Sequence, residues 1–474
     1  MTSSVPSKTL RIGFLTPVLH FEPATAHDVE SSFVLRHIFE APFDVTYGTA
    51  EVEPRLFRGP LVKRGDEFEA ELRDDVFFSD GERLTAEHLC ASLNGAALLA
   101  SQATARVKGR RLVFTLTRPN ARFDLALSHF DCSVQRRVGQ RLLGTGPYVL
   151  APDSTPTFVR LLRNPHHRPA PAIDEVHFRT YPPDADARAT ALLKALEEGS
   201  VDLSLSLGRQ DIETVSNVRK SILPGASTAI LFLNCDSPRL RDRRVRQALA
   251  HAVDRYELAR SSYANPLAFA ASSLTPRQLG SVEDGLSYDP ALAQTLLAAP
   301  GVEPPRQLDM LLAWAPRPYL PYPQKVAALV AEQLGRLGIG LKVHQPPTSE
   351  EFTRAATRGT HDLVLSGWVA DTLDPHDFLE ALLSSERVIR PENAAVACNF
   401  GRLRSPEMDE ALARFRAVRD AANVATIADL LGREAPLVPL MYGPAASVHA
   451  YRVRHVKPSA LWYVPVEKLD LDPL

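Results

Sequence analysis

No two of the four cysteines, Cys90, Cys132, Cys235 and Cys398, stand close enough along the chain to form a Cys-x-x-Cys pair. That spacing speaks against a zinc ribbon and a disulfide framework, and leaves them as small buried hydrophobes. Lysine is scarce, with nine residues, so arginine carries most of the positive charge. The formal net charge is only −2, which provides no electrostatic footprint for nucleic acid or an anionic membrane surface. Aromatic residues make up 7%. No apolar run approaches the ~18–20 residues of a membrane span. Gly-x-Ser-x-Gly, Walker A, Gly-x-Gly-x-x-Gly and His-Glu-x-x-His are all missing. The sequence therefore assigns no catalytic residue, no metal ligand and no cofactor. His166-His167 sits in a proline-bounded, arginine-flanked loop, where a loop role outweighs metal binding. The first eight residues are polar and lack a basic stretch followed by an apolar one, so the chain as written carries no export signal.

What is present reads as an ordinary globular chain. Its 474 residues suffice for two or three domains at roughly 100–200 residues each. Leu10–Leu15 reads as a first strand and Val29–Phe39 as a helix. Phe68–Leu72 and Val76–Phe78 read as short strands, and Thr85 as the N-cap of a helix through Leu93. Ala105–Lys108 and Arg111–Leu116 form a hairpin. From residue 175 the pattern becomes strand (Glu175–Tyr181), helix (Ala185–Leu196), strand (Val201–Leu207), which implies a βαβ unit. Strands at Ala229–Cys235, Leu308–Trp314 and Gly340–Val343 alternate with helices at Asp242–Val253 and Tyr322–Leu337. Helices at Asp409–Val418 and Val424–Leu431 follow, and strands at Pro436–Tyr442 and Ala446–Tyr451 close the chain.

One stretch carries chemistry. Leu363–Leu365 reads as a buried strand ended by Gly367 and Trp368, and Asp374-Pro375 as an N-cap with proline at the first helical position. Phe378, Leu379, Leu382 and Leu383 then form a helical apolar stripe. Asp371 lies in between, on a loop at a strand's end. In an open α/β sheet that place suits a ligand contact and suits a turn residue equally.

Several motifs in order give a resemblance. Phe21-Glu-Pro23 precedes Val34-Leu-Arg-His-Ile-Phe-Glu40. Val76-Phe-Phe-Ser-Asp-Gly-Glu-Arg-Leu-Thr-Ala-Glu87, Gly144-Thr-Gly-Pro-Tyr148, Arg163-Asn-Pro165 with Ile173-Asp-Glu-Val176, and Gly199-Ser-Val-Asp202 follow. Leu233-Asn234, Arg244-Val-Arg-Gln-Ala-Leu249, Val253-Asp-Arg255 and Gly367-Trp-Val-Ala-Asp371 complete the series. Together they resemble the family 5 extracellular solute-binding proteins, the peptide- and nickel-binding receptors of ABC importers.

The resemblance implies an α/β fold of the two-lobed, type II periplasmic-binding-protein clamshell class. A first, discontinuous lobe covers 1–45, 151–230 and 439–474, a small inserted α+β domain covers 46–150, and a second lobe covers 231–438. The ligand, a small peptide or other amine-bearing solute, would lie between the lobes. By the same resemblance Asp371 holds the ligand's α-ammonium, Trp368 walls the pocket, and His27, Asp28 and Val29 run beside the ligand backbone. Thr372 replaces the aromatic that usually follows the ligand aspartate, and Leu365 stands where some oligopeptide binders have arginine. The expected protein is a monomer without enzymatic activity. Its partners are the solute and, if exported, the permease subunits of an ABC transporter, with no nucleic acid and no membrane span. Location would be periplasmic or extracellular by resemblance, and cytoplasmic if the chain is complete as written. Two other readings stand beside it: a cytoplasmic ligand sensor or pathway accessory protein of the same fold, and a carboxylate-dependent hydrolase using Asp371 and Asp374.

Overall fold

Strand β1 (Thr9–Phe14) buries Leu10, Ile12 and Phe14 because it runs through the middle of a sheet rather than along its edge. The computed structural model describes residues 7–26, 28–45, 51–184, 188–263, 269–317, 319–370, 372–394, 397–457, 461 and 463–473. They fall into two compact units: Met1–Leu223 with Ala445–Leu474, and Pro224–Pro444.

In the first unit, helix α1 (Val29–Leu35) is shorter than the apolar spacing predicts. Residues 37–39 follow it as turns on the Val34 and Leu35 oxygens, and beyond the helix the carbonyls of His37 and Ile38 accept from the N–H groups of Tyr148 and Gly146 (3.0 and 2.9 Å). That approach requires glycine: a Cβ on Gly144 would stand 2.0 Å from the Ile38 oxygen. The chain then builds a four-stranded sheet from β2 (Val62–Arg64), β3 (Glu67–Glu71), β4 (Ala103–Lys108) and β5 (Arg111–Leu116), in the order β2-β3-β5-β4. Its inward face, with Ala70, Leu112 and Phe114, joins Phe57, Phe78, Leu89 and Phe123 in an apolar cluster of its own. Val76–Phe78 does not form the strand expected; only a single bridge, Phe77 to Arg83, is made there.

Helix α2 (Ala86–Gly95) packs Leu89 and Leu93 into this cluster. Its N-terminus is capped as the sequence predicts: Thr85 Oγ1 accepts from the His88 N–H (3.3 Å), and the Thr85 N–H donates to His88 Nδ1 (3.4 Å). Replacing Thr85 by Ala is expected to cost about 1 kcal/mol in denaturant unfolding. A loss indistinguishable from zero would mean that solvent caps the helix equally well.

The larger sheet of the first unit adds β6 (Tyr148–Leu150), β7 (Phe158–Arg163) and β8 (Glu175–Thr180) on one side of β1, and β9 (Leu203–Ser204) on the other. Strands β1, β8 and β9 are parallel, with helix α3 (Thr190–Glu197) making the crossover from β8 to β9 over β1, as the βαβ pattern implies.

Strand β10 (Arg219–Leu233) carries the chain into the second unit. It is more than twice as long as the apolar run that announces it, because its first residues are exposed and supply no alternation. There α4 (Arg243–Ala252), β11 (Gln307–Leu312), α5 (Pro323–Gly335), β12 (Gly340–His344), β13 (Leu363–Val369), α6 (Pro375–Leu383), α7 (Pro406–Ala417) and α8 (Ala421–Glu434) follow in turn. Strand β14 (Leu437–His449) leads back to the first unit and pairs with β9. It is one strand rather than two: Gly443-Pro444 reads as a breaker but is carried inside it. The strand order in the second unit is β14-β10-β13-β11-β12. Leu231, Leu249, Met310, Val330, Leu363, Leu365 and Leu440 are all buried in its core.

Candidate functional site

Strand β13 is enclosed by β10 on one side and β11 on the other, so its Leu363, Val364 and Leu365 can all be apolar without exposing a face. The strand does not stop at Gly367. It continues through Trp368 to Val369, with Gly367 opposite Ala229 and the half-buried Trp368 opposite Thr228. Gly367 is a close-approach residue: a Cβ there would lie 2.2 Å from the Thr228 oxygen and 2.7 Å from the Tyr319 ring. Beyond the strand, the Ala370 N–H donates to the Ala226 oxygen (2.8 Å).

Asp371 itself lies outside the described residues, and the chain resumes firmly anchored. Thr372 Oγ1 donates to Asp377 Oδ2 (2.7 Å) and accepts from the Asp374 N–H (3.1 Å). Asp374 caps α6 as predicted, with Oδ1 accepting from the His376 N–H (2.9 Å) and Pro375 following. The predicted stripe of Phe378, Leu379, Leu382 and Leu383 is buried. Asp374 is only 2% exposed, and both its oxygens accept from Arg419 (3.1 and 2.8 Å). Burial pushes this carboxyl up, Asp377 pushes the same way, and Arg419 opposes both. With both oxygens engaged by a cation and a helix start, Asp374 lends no support to an acid–base pair with Asp371.

A second loop belongs to the same edge. Strands β11 and β13 are parallel, and the Ala313 N–H donates to the Leu365 oxygen (3.0 Å), so the segment after β11 and the segment after β13 leave at the same, carboxyl, end. Ligands bind at such ends in α/β sheets. The loop after β11 carries Trp314, packed on Phe352 with centroids 5.4 Å apart, and Arg317, whose guanidinium lies 4.7 Å from the Trp314 ring. Arg317 forms no ion pair with any described carboxylate, and its Nε has no hydrogen-bond partner among the described residues. Its backbone is held in a tight turn by reciprocal hydrogen bonds with Leu320 (3.0 and 2.9 Å). Sequence reasoning missed Trp314 and Arg317; the available signal was an arginine between two prolines just after a strand.

In the first unit, Asp28 caps α1, with Oδ1 accepting from the Ser31 N–H (2.8 Å). Its Oδ2 stands 4.0 Å from His20 Nε2. Ser31 Oγ accepts from the N–H groups of Leu19 and His20 (3.1 and 3.0 Å), which ties the preceding loop to the helix start. Val29 is 57% exposed. His27 lies outside the described residues. Of the histidine pair, His167 Nδ1 contacts the Pro169 oxygen (2.9 Å) while Nε2 faces Glu40 (3.5 Å). No group of three or more metal-ligating side chains occurs among the described residues. Cys132 and Cys398 are buried, Cys90 and Cys235 half-buried, and none of the four is in a disulfide.

The model of the bacterial extracellular solute-binding proteins, family 5 Middle, matches residues 51–388. Over 429 residues the chain is 27% identical to the peptide transport periplasmic protein SapA of Salmonella typhimurium, covering 80% of this chain and 73% of that one. Over 341 residues it is 26% identical to the dipeptide-binding protein of Escherichia coli, covering 66% of this chain and 62% of that one. The structure of HbpA2 from Haemophilus parasuis is similar with a TM-score of 0.82, at 19% identity over 98% of this chain and 100% of that one. That likeness establishes the fold alone, the type II periplasmic-binding-protein class.

Proposed function

This chain belongs to the bacterial extracellular solute-binding proteins, family 5, and from that premise we propose that it is the receptor of an ABC importer for a small peptide. One observation carries the choice of ligand. After β11 the chain supplies Arg317, which has no carboxylate partner among the described residues, and the loop after β13 contains Asp371 in its sequence. Two opposite charges suit the two ends of a zwitterionic peptide: Asp371 for the α-ammonium and Arg317 for a carboxylate. Each charge-assisted contact contributes about 1.5–3 kcal/mol, or roughly 10–100-fold in affinity. Trp314 lies against Arg317, and Trp368 stands three residues before Asp371 in the sequence. Asp28 and Val29 are kept as contacts of the ligand backbone with His27, although the Asp28 cap already accounts for one oxygen.

The protein binds without turnover, acts as a monomer outside the cytoplasmic membrane, and hands its ligand to permease subunits. Among the described residues no helix is long and apolar enough to cross a membrane. The separate apolar cluster between Phe43 and Leu143 supports an inserted domain over 46–150.

Calorimetric titration of the purified chain with Ala-Ala-Ala tests the reading. Acetylating the peptide's amine, or amidating its carboxylate, is expected to weaken binding at least tenfold. Asp371→Ala is expected to erase the first discrimination and Arg317→Gln the second. Absence of binding to any of a pool of di- and tripeptides would overturn the peptide reading.

A further inference from the structure

The His166-His167 pair lies in the loop after β7, and distant segments of the first unit gather on that loop. Asn164 opens it. The Asn164 N–H donates to the Pro147 oxygen (2.9 Å) and its Nδ2 to the Gly146 oxygen (2.8 Å), while its Oδ1 accepts from the His166 N–H (3.0 Å). The His166 ring stands against the turn at Gly81, where a Cβ would lie 3.0 Å from it. Gly144 ties the same regions, because its oxygen accepts from the Ser79 N–H (3.1 Å). The loop therefore spans the seam between the larger sheet, which holds β6 and β7, and the apolar cluster of Phe57, Phe78 and Phe114 on the four-stranded sheet. Glu40 stands at that seam as well: its backbone oxygen accepts from the N–H of Val134, a member of the cluster (2.9 Å).

His167 is 8% exposed, and both of its ring nitrogens face acceptors. Nδ1 meets the Pro169 oxygen at 2.9 Å, and Nε2 meets the Glu40 carboxylate at 3.5 Å. A neutral imidazole has a single N–H. The carbonyl claims it for Nδ1, which would leave Nε2 presenting a lone pair to a carboxylate. The arrangement is satisfied only when the two residues share one further proton, taken from solvent. Glu40 is held as the ionised partner. Its Oε2 accepts from Thr145 Oγ1 (2.9 Å), and Arg55, paired with Glu467 and Asp44 (2.8 and 3.5 Å), adds positive charge. Burial pushes this carboxyl up, but His167, Arg55 and Thr145 outweigh it and hold it below the usual glutamate range. Burial likewise pushes the His167 imidazole down, and Glu40 outweighs both burial and the opposing charge of Arg55, so the imidazole stays above the ordinary histidine value. The neighbouring Arg168 donates to the Pro165 and His167 oxygens (2.9 and 2.8 Å).

We propose that His167 and Glu40 form a proton-operated clasp: with the proton, the pair fastens the loop across the seam, and without it two buried acceptors face each other and the loop loosens. The inference does not depend on which ligand is bound. Its sign is fixed by linkage. A histidine whose native value lies above the unfolded value of about 6.5 contributes stability below 6.5, and loses it as pH rises through the native value. The seam is tight in mild acid and looser on the alkaline side.

The test uses the full chain with nitrogen-labelled histidine, followed by NMR of the imidazole nitrogens, with His167→Gln identifying the signal. His167 is expected to titrate above about 6.5, with both nitrogens protonated on the acid side. Glu40→Gln keeps the side-chain size and offers an amide N–H to the neutral ring, so its midpoint is expected to fall below about 6.5. Hydrogen exchange, corrected for the intrinsic rate at each pH, reads the clasp itself. Protection of residues 144–148 and 164–167 is expected to drop at least tenfold from about pH 5 to about pH 9 in the wild type and less than twofold in Glu40→Gln, while β13 shows no such dependence. A wild-type midpoint at or below 6.5, or equal protection at both pH values, would overturn the proposal, and neither result needs a variant that folds. A midpoint unmoved by Glu40→Gln would overturn it too. A merely structural contact would leave the wild type flat with pH and give Glu40→Gln the same loss at both values.

Discussion

Replacing Asp202 by Asn is expected to destabilise the first unit by about 3–5 kcal/mol at neutral pH, the cost of breaking a buried ion pair from one side. The carboxylate is 1% exposed and accepts five hydrogen bonds. Arg11 supplies its backbone N–H, Nε and Nη2 (2.9, 2.9 and 2.8 Å), and Arg452 its Nε and Nη2 (both 2.8 Å). Asp202 thus joins β1, the start of β9 and the segment after β14. Asparagine would turn an amide donor toward two guanidinium groups and leave them without a counter-charge. Burial alone would raise the Asp202 carboxyl, but the hydrogen bonds from Arg452 and Arg11 outweigh it and hold the carboxyl below the usual aspartate range. The sign of the pH dependence follows. A lowered native pKa contributes stability above the unfolded value of about 3.9, and that contribution is lost as pH falls through the native value. Denaturant unfolding of both proteins should therefore differ fully at pH 7 and converge in strong acid. An equal difference at both extremes would assign the effect to shape rather than charge.

Gly367→Val is expected to cost more than about 3 kcal/mol, at the upper end of what overpacking does, because the obstructing atom cannot turn aside. The added Cβ would collide with the Thr228 carbonyl, a backbone atom of the central strand β10, and with Tyr319, which is itself pressed against Gly443. Relief means parting β10 from β13, whose register runs from Ser227–Val369 to Leu233–Leu363. Trp368 and Ala370 would move with it, so peptide affinity should fall together with the unfolding midpoint. Gly335→Ala is the matched control. It lies at the end of α5 with no atom within 4 Å of the added carbon, and is expected to be neutral or to stabilise by up to about 1 kcal/mol. Comparable losses in the two variants would mean that the close contact at Gly367 is not what limits substitution.

Local rules account for what was legible in advance. The caps at Thr85 and Asp374, the proline at the first turn of α6 and the buried stripe that follows each depend on residues within one or two turns of one another. The crossover from β8 through α3 to β9 was equally readable, because apolar periodicity switches from strand to helix and back. What depends on partners far along the chain was not readable. Strand β13 runs on through Gly367 because Thr228 and Tyr319 close on that glycine, and β14 runs on through Gly443-Pro444 because Ser227 and Tyr319 close on that one. Just beyond α1, the carbonyls of His37 and Ile38 find their donors at Tyr148 and Gly146, far along the chain.

The candidate site divides along the same line. The Trp368–Asp371 segment could be picked out by its motif, and the family with it, since motif order is a property of the chain alone. Arg317 and Arg419 could not. One of them stands out because it has no carboxylate partner among the described residues, and the other because it has one 45 residues away. The chain by itself determined the family, the alternation of strands and helices, and the helix ends. Only the tertiary structure decided which charges are paired, which glycines admit no side chain and which loops leave the sheet at the same end, because each of these is set by distances between residues that the sequence does not bring together.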